Sequence, residues 1–406
     1  MRDMLELLEA LVRCPTVNHP PYGEEAAGQA LLEADYREMG LEIRRLSPKD
    51  CRAYPDHPEF MPRSFEGREN LLGIWRGTGG GKSALLTGHM DVVPKEPLPW
   101  TVTEPFEPLI RNGRMYGRGT ADMKAGLVIA REAVRRLREK GFAPRGDILL
   151  EAVVDEEYAG ANGTIADRLE GYNADFAVLL EVTAMDVCPA CVGGLVVRLR
   201  VKGIAGMPYT GEEIRNPAYD LAELIGLIGK LSEKRMREAP KPAIWYDTVQ
   251  GAQVVISKVK AGEVIPHGQL STPIDGWIEV ILQSYPGETE DELMRCLTGF
   301  MNEHYHAPEE LEIEKVYHYC RPTATDENHP AVQLLAEYVR REKPDAKVCG
   351  AMLSCDMFAL TEIGGIPSVL FGPVGERLHA PDEWVDLESM ERCVRALEDF
   401  LVRWCG

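Results

Sequence analysis

A chain of 406 residues with 45% hydrophobic and 27% charged side chains has the make-up of an ordinary globular protein, with room for two or three domains. Its formal net charge of −20 at pH 7 excludes nucleic acid and anionic membrane surfaces as partners, since both are gripped by clustered Lys and Arg. No apolar run approaches the ~18 residues of a membrane span, the start MRDMLELLEALVR is acidic and amphipathic, and ten cysteines lack framework spacing, so a reduced cytoplasmic protein is expected.

Taken in order, apolar residues recurring at three and four predict helices over 5–12 and 24–39, followed by a strand over 41–46. The Pro-, Arg- and acid-rich stretch 49–68 reads as a surface loop. Strands are expected over 70–75 and 83–87, separated by a tight turn from Gly77 to Gly81. A long helix over 124–140, a strand over 147–154, a short helix over 164–169 and a strand over 176–180 continue the alternation. That order predicts an α/β domain, a mostly parallel sheet with helices on both faces and its active loops at the carboxyl edge. Cys188 and Cys191, in CPAC, lack a second such pair to complete a zinc site and read as two buried structural thiols.

After Gly193 the pattern changes. Strands over 195–201, 253–257 and 277–282, with helices over 219–233 and 290–305, predict two helices on a small antiparallel sheet, an α+β insert covering 193–307. The α/β character resumes with a helix over 330–341, a strand over 368–371 and a closing helix over 387–402. The larger domain is thus expected to comprise 1–192 and 308–406, with the insert interrupting it.

Residues able to carry chemistry fall at the ends of the predicted strands. Asp122 lies in GRMYGRGTADMKAG, between glycine turns and a helix start, where small residues let backbone and ligand crowd together; a plain N-cap is the alternative. His89 and Asp91, in LLTGHMDVVP, leave one face of a strand together, as suits a histidine ligand and a carboxylate that fixes its tautomer; a satisfied histidine at a strand end is the alternative. Asp155, Glu156 and Glu157 end the next strand, where three acids repel unless solvent, a proton or a cation compensates; Glu157 is assigned to metal and Glu156 to water. Glu181 in LLEVT and His379 in GERLHAPDEW complete a set of two imidazoles and several carboxylates, enough for two divalent ions. Such ligation suits zinc, with cobalt or manganese as alternatives. Two ions about 3.5 to 4 Å apart lower the pKa of a shared water to about 7, and a carboxylate base then moves its proton to the leaving nitrogen.

These motifs, together with WTVTEPFEP and SYPGETEDE, resemble over nearly the whole chain the acetylornithine deacetylase, succinyl-diaminopimelate desuccinylase and carboxypeptidase G family of di-zinc amidohydrolases. The resemblance implies that His89, Asp122 and Glu181 hold one ion and Asp122, Glu157 and His379 the other, with Asp122 bridging. It implies Glu156 as general acid/base, Asp91 as the partner of His89, a cis peptide between Asp122 and Met123, and an insert that acts as lid and homodimer interface.

Two positions depart from the family pattern. Gly206, in VKGIAGMPYT, stands where a lid histidine reaching the oxyanion is expected, and Gln283 stands where an arginine binds a substrate carboxylate. Gln donates hydrogen bonds but supplies neither the charge nor the bidentate fork. His267, in EVIPHG, is the candidate to replace the histidine, and Arg321 the arginine. The expected function is hydrolysis of an amide bond in a small polar substrate, an N-acyl amino acid or related acylated amine. A dipeptidase or carboxypeptidase would use the same chemistry, and Gly206 and Gln283 give some weight to a non-catalytic binding or scaffold homologue.

Overall fold

The computed structural model describes residues 3–207, 209, 211, 213–239, 241–245, 251–262 and 272–406. The chain folds into two compact units: Met1–Cys191 with Thr323–Ala351 and Cys355–Gly406, and Val192–Pro322 with Met352–Ser354.

In the first unit four neighbouring strands, Ile148–Val153, Ala84–His89, Ala177–Leu179 and Ser368–Leu370, run parallel at the centre of a nine-stranded sheet. Every one of their residues is buried, as parallel strands covered on both faces require. Antiparallel strands flank them, Asn70–Trp75 and Glu42–Leu46 on one side, Val187–Cys191 and Thr323–Ala324 on the other. The sheet is thus parallel at its centre and mixed as a whole. The CPAC stretch is itself the strand Val187–Cys191, hidden in the sequence by its proline. Its cysteines are buried free thiols, with Cys188 Sγ 3.8 Å from Cys349 Sγ on the neighbouring strand Val348–Ala351.

Helix Ala125–Glu139 packs on the His89 strand and on the closing helix Leu387–Cys405. Its first turn is pressed onto the chain beside Glu181, so closely that a β-carbon at Gly126 would stand 2.1 Å from the carbonyl oxygen of Leu180. Buried Lys124 donates from Nζ to the carbonyls of Leu11 and Cys14 at 2.9 and 2.8 Å, closing the end of helix Met4–Val12 and tying it to the Asp122 segment. The stretch 49–68 is irregular, yet it is not simply a surface loop. Cys51, Phe65 and Arg68 are buried, and Arg68 donates from Nε to Glu25 at 2.9 Å.

The second unit is a four-stranded antiparallel sheet in the order Val254–Ala261, Asp275–Ser284, Gly193–Lys202, Glu312–Lys315. Alternate residues of Gly193–Lys202, among them Leu195, Val197 and Leu199, join Leu224 and Ile228 of helix Pro217–Glu238 and Leu293 and Leu297 of helix Glu290–His304 in one core. This unit runs to Pro322, past the expected edge at 307, because Glu312–Lys315 adds a fourth strand. The charged run EIEK has too little apolar content to show itself as a strand in sequence. Among the described residues no helix is long and apolar enough to cross a membrane.

Candidate active site

The four central strands deliver the candidate residues, all within the first unit. His89 closes Ala84–His89, the acids 155–157 follow Ile148–Val153, Glu181 lies just beyond Ala177–Leu179, and His379 sits between the short paired strands Gly375–Glu376 and Trp384–Asp386 that come after Ser368–Leu370. Parallel strands bring their carboxyl ends to one edge, which is why residues so distant in sequence meet there. Asp122 enters from the turn before helix Ala125–Glu139, and the peptide joining it to Met123 is cis.

The carboxylate of Asp122 is divided between the two histidines, with Oδ1 3.1 Å from His89 Nε2 and Oδ2 3.0 Å from His379 Nε2. Glu181 Oε1 approaches His89 Nε2 to 3.5 Å, and Glu157 Oε2 approaches His379 Nε2 to 3.1 Å. Glu156 Oε2 stands 3.7 Å from His89 Nε2. Asp122 thus lies between two groups, His89 with Glu181 and His379 with Glu157.

Asp91 does not act on His89 as the spacing suggested. The imidazole Nδ1 donates to the backbone carbonyl of Asp91 at 2.8 Å, and the Asp91 carboxylate stays 3.7 Å away. The backbone contact is enough to fix the ring's orientation and turn Nε2 toward the cluster. The carboxylate accepts instead from the N–H groups of Glu156 and Glu157 at 3.1 and 3.0 Å, and from Asn18 Nδ2 at 2.8 Å. One residue thereby orients the histidine with its backbone and the acidic turn with its side chain. That turn holds Asp155, Tyr158 and Ala159 in the left-handed region, φ 64°, 60° and 57°, and His379 sits at φ 57° in its own loop. Non-glycine residues of this kind gather where a fold must place side chains against local preference.

Electrostatically the cluster seeks positive charge. Burial opposes charge on His89, but Glu156, Asp122 and Glu181 outweigh it and drive the imidazole well above its usual range. Burial likewise opposes His379, which Asp122 and Glu157 nevertheless lift to about 11 although its side chain is 55% exposed. Burial pushes Glu156 and Glu157 upward and Glu181 to about 7, since carboxylates crowded out of water resist ionising together. The donor set fits a divalent cation. Donor atoms of His89, Asp122 and Glu157 lie within 4.8 Å of one another, and Glu157 Oε1 is a buried acceptor with no hydrogen-bond partner.

The other candidates fall elsewhere. Gln283 lies in the second unit, where its side-chain oxygen accepts from the N–H of Gln253 at 3.2 Å, and Arg321 is half-buried near the end of that unit. His267 lies outside the described residues. Sequence reasoning missed Asn18, which binds the Asp91 carboxylate, and Glu383, whose place beside His379 in HAPDEW was the available clue.

A parallel-centred α/β unit that gathers imidazoles and carboxylates at its strand ends, with a separate α+β unit inserted in the chain, defines a metal-dependent amidohydrolase. Residues 85–403 match the family model described as Peptidase family M20/M25/M40, and the chain belongs to that family. It is similar to the N-formyl-4-amino-5-aminomethyl-2-methylpyrimidine deformylase of Bacillus subtilis, with 24% identity over 438 residues spanning 100% of this chain and 95% of that protein. It is 32% identical over 259 residues to the succinyl-diaminopimelate desuccinylase of Cupriavidus necator, spanning 60% of this chain and 62% of the relative. Among solved structures the dipeptidase Dug1p of Saccharomyces cerevisiae superposes with a TM-score of 0.81 at 13% identity, over 99% of this chain and 95% of that one, a likeness of fold alone.

Proposed function

We propose that this protein is a deacylase. It would hydrolyse the amide of an N-acyl amino acid or related acylated amine, with His89, Asp122 and Glu181 holding one divalent ion and Asp122, Glu157 and His379 a second, zinc before cobalt or manganese. The observation that carries this reading is the Asp122 carboxylate, one oxygen 3.1 Å from His89 and the other 3.0 Å from His379. Full-length similarity to a deformylase and partial similarity to a desuccinylase support removal of a short acyl group from nitrogen.

Bound in these positions, the ions would supply Lewis acidity, lowering the pKa of a water and polarising the scissile carbonyl. The chain's own residues do the rest. Asp91 sets the acidic turn so that Glu156 projects toward the cluster, and burial keeps its carboxyl above the usual range, closer to the working pH of a proton shuttle. Glu156 accepts a proton as the water oxygen attacks the carbonyl carbon. It returns that proton to the nitrogen as the C–N bond breaks, leaving a carboxylic acid and an amine, which exchange a proton to become carboxylate and ammonium.

The test is a panel of N-formyl, N-acetyl and N-succinyl amino acids and amines, with dipeptides, offered to protein stripped by a chelator and reloaded with zinc, cobalt or manganese. Turnover of acylated amines that disappears on stripping and returns on reloading is expected. Cleavage of dipeptides alone would replace this reading with the peptidase one, and no turnover with any reloaded metal would remove both.

The second unit would serve as the homodimer interface. Its strand Val254–Ala261, at the end of the strand order among the described residues, exposes Val255 and Val259, 42% and 52% accessible, as suits strand pairing. Sedimentation equilibrium at micromolar concentration should give twice the chain mass, and a monomer mass would reject the interface. Ten cysteines without framework spacing suit the reducing cytoplasm, where we place the enzyme.

A further inference from the structure

Two buried acids follow His379, Asp382 at 8% and Glu383 at 0% exposure, and the chemistry above uses neither. Asp382 accepts from the N–H groups of Thr101 and Val102 at 2.7 and 2.9 Å and from the Thr101 hydroxyl at 2.6 Å, which anchors the loop that carries His379. Glu383 reaches the Asp122 turn. Its Oε1 accepts from the N–H groups of Ala121 and Asp122 at 2.9 and 3.1 Å, and its Oε2 from the N–H of Gly119 and Nη1 of Arg118 at 3.1 and 2.7 Å. Gly119, at φ 82°, lets the chain curl so that its N–H and the next ones around the turn converge on one anion. Arg118 is held from its other side by Glu96.

We propose that Glu383 is a positioning residue that keeps the Asp122 turn in its ion-binding form. His379 would then supply one ligand directly, while Glu383, four positions on, orients the ligand shared by both ions. The inference rests on reading Asp122 as that shared ligand. A carboxylate that divides its oxygens between two imidazoles must be placed to within ~0.5 Å, and its own backbone N–H is one of the groups Glu383 holds. Glutamine at 383 would keep the shape but offer one acceptor oxygen, so its NH2 would face N–H donors across the turn. The missing acceptor should be felt as misplacement of Asp122.

Metal-stripped parent, Glu383→Gln and Asp122→Asn proteins are titrated with Zn2+ and Co2+ by calorimetry, the cobalt spectra are recorded, and kcat and KM are measured on the best substrate of the panel. Glu383→Gln should bind the ions ~10- to 100-fold more weakly, change the cobalt spectrum, and lower kcat more than it raises KM. Parent-like affinity and an unchanged spectrum in a folded Glu383→Gln would overturn the proposal. Parent-like affinity in Asp122→Asn would overturn the ligand reading beneath it. Should Glu383→Gln fail to fold, amide exchange in the parent decides: Ala121 and Asp122 should stay protected after metal stripping, and loss of that protection would mean that the ions, not Glu383, hold the turn.

Discussion

Glu156→Gln is expected to lower turnover by ~10²- to 10⁴-fold while leaving metal content unchanged, the span that a positioned acid/base contributes. Glutamine keeps the side-chain volume and can still accept a hydrogen bond, but it cannot take a proton from water and return it to nitrogen. The main chain at 156 is held independently, through its N–H to the Asp91 carboxylate at 3.1 Å, so the acidic turn and Glu157 should stay in place. Glu156 Oε2 is also 3.7 Å from His89 Nε2, farther than the proposed ligands Asp122 and Glu181 at 3.1 and 3.5 Å, which is why its loss should spare the ions. Elemental analysis with single-turnover kinetics checks both halves. A variant as fast as the parent would show that the proton travels by another group. A variant that has lost its metal would make Glu156 a ligand instead.

Arg168→Met should destabilise the first unit by ~3 to 5 kcal/mol, the usual result of removing one partner from a buried ion pair. Arg168 and Glu151 both have fully inaccessible side chains, and Glu151 also accepts from the Thr87 hydroxyl at 2.6 Å. Next to them Asp167 is fully buried, and burial together with the neighbouring Glu151 carboxylate holds its carboxyl well above its usual range. Without the guanidinium, the buried Glu151 charge would lose its ion-pair partner. Urea unfolding followed by circular dichroism should show the midpoint falling with little change in slope. Arg168→Met combined with Glu151→Gln should recover part of the loss, because the uncompensated charge goes with it. Equal midpoints for parent and Arg168→Met would mean that the pair is replaceable and that the strand under His89 does not depend on it.

How much of this could be read beforehand follows from the range of the forces involved. Helices such as Ala125–Glu139 and Glu290–His304 were legible because local periodicity encodes the face they bury. The strand Val187–Cys191 was not, since proline and cysteine give no alternating pattern and its partners come from residues 323 onward. Glu312–Lys315 was missed for a related reason: its place as fourth strand is set by pairing with Val197–Arg200, not by its own composition. His89, Glu157 and Glu181 stood out because each follows an apolar strand-like run, and Asp122 and His379 because each sits in a loop marked by glycine or proline.

By itself the sequence determined residue types and their periods: which stretches are strands or helices, where an insert interrupts the α/β pattern, and which acids and imidazoles lie at strand ends. Only the tertiary structure decided their partners. Asp91 bonds the acidic turn with its carboxylate and His89 with its carbonyl, and Glu383 binds backbone more than 250 positions away, as its 261-residue separation from Asp122 records. Backbone N–H and C=O groups are the same at every position, so sequence cannot say which of them will face a given side chain; the packed sheet edge does.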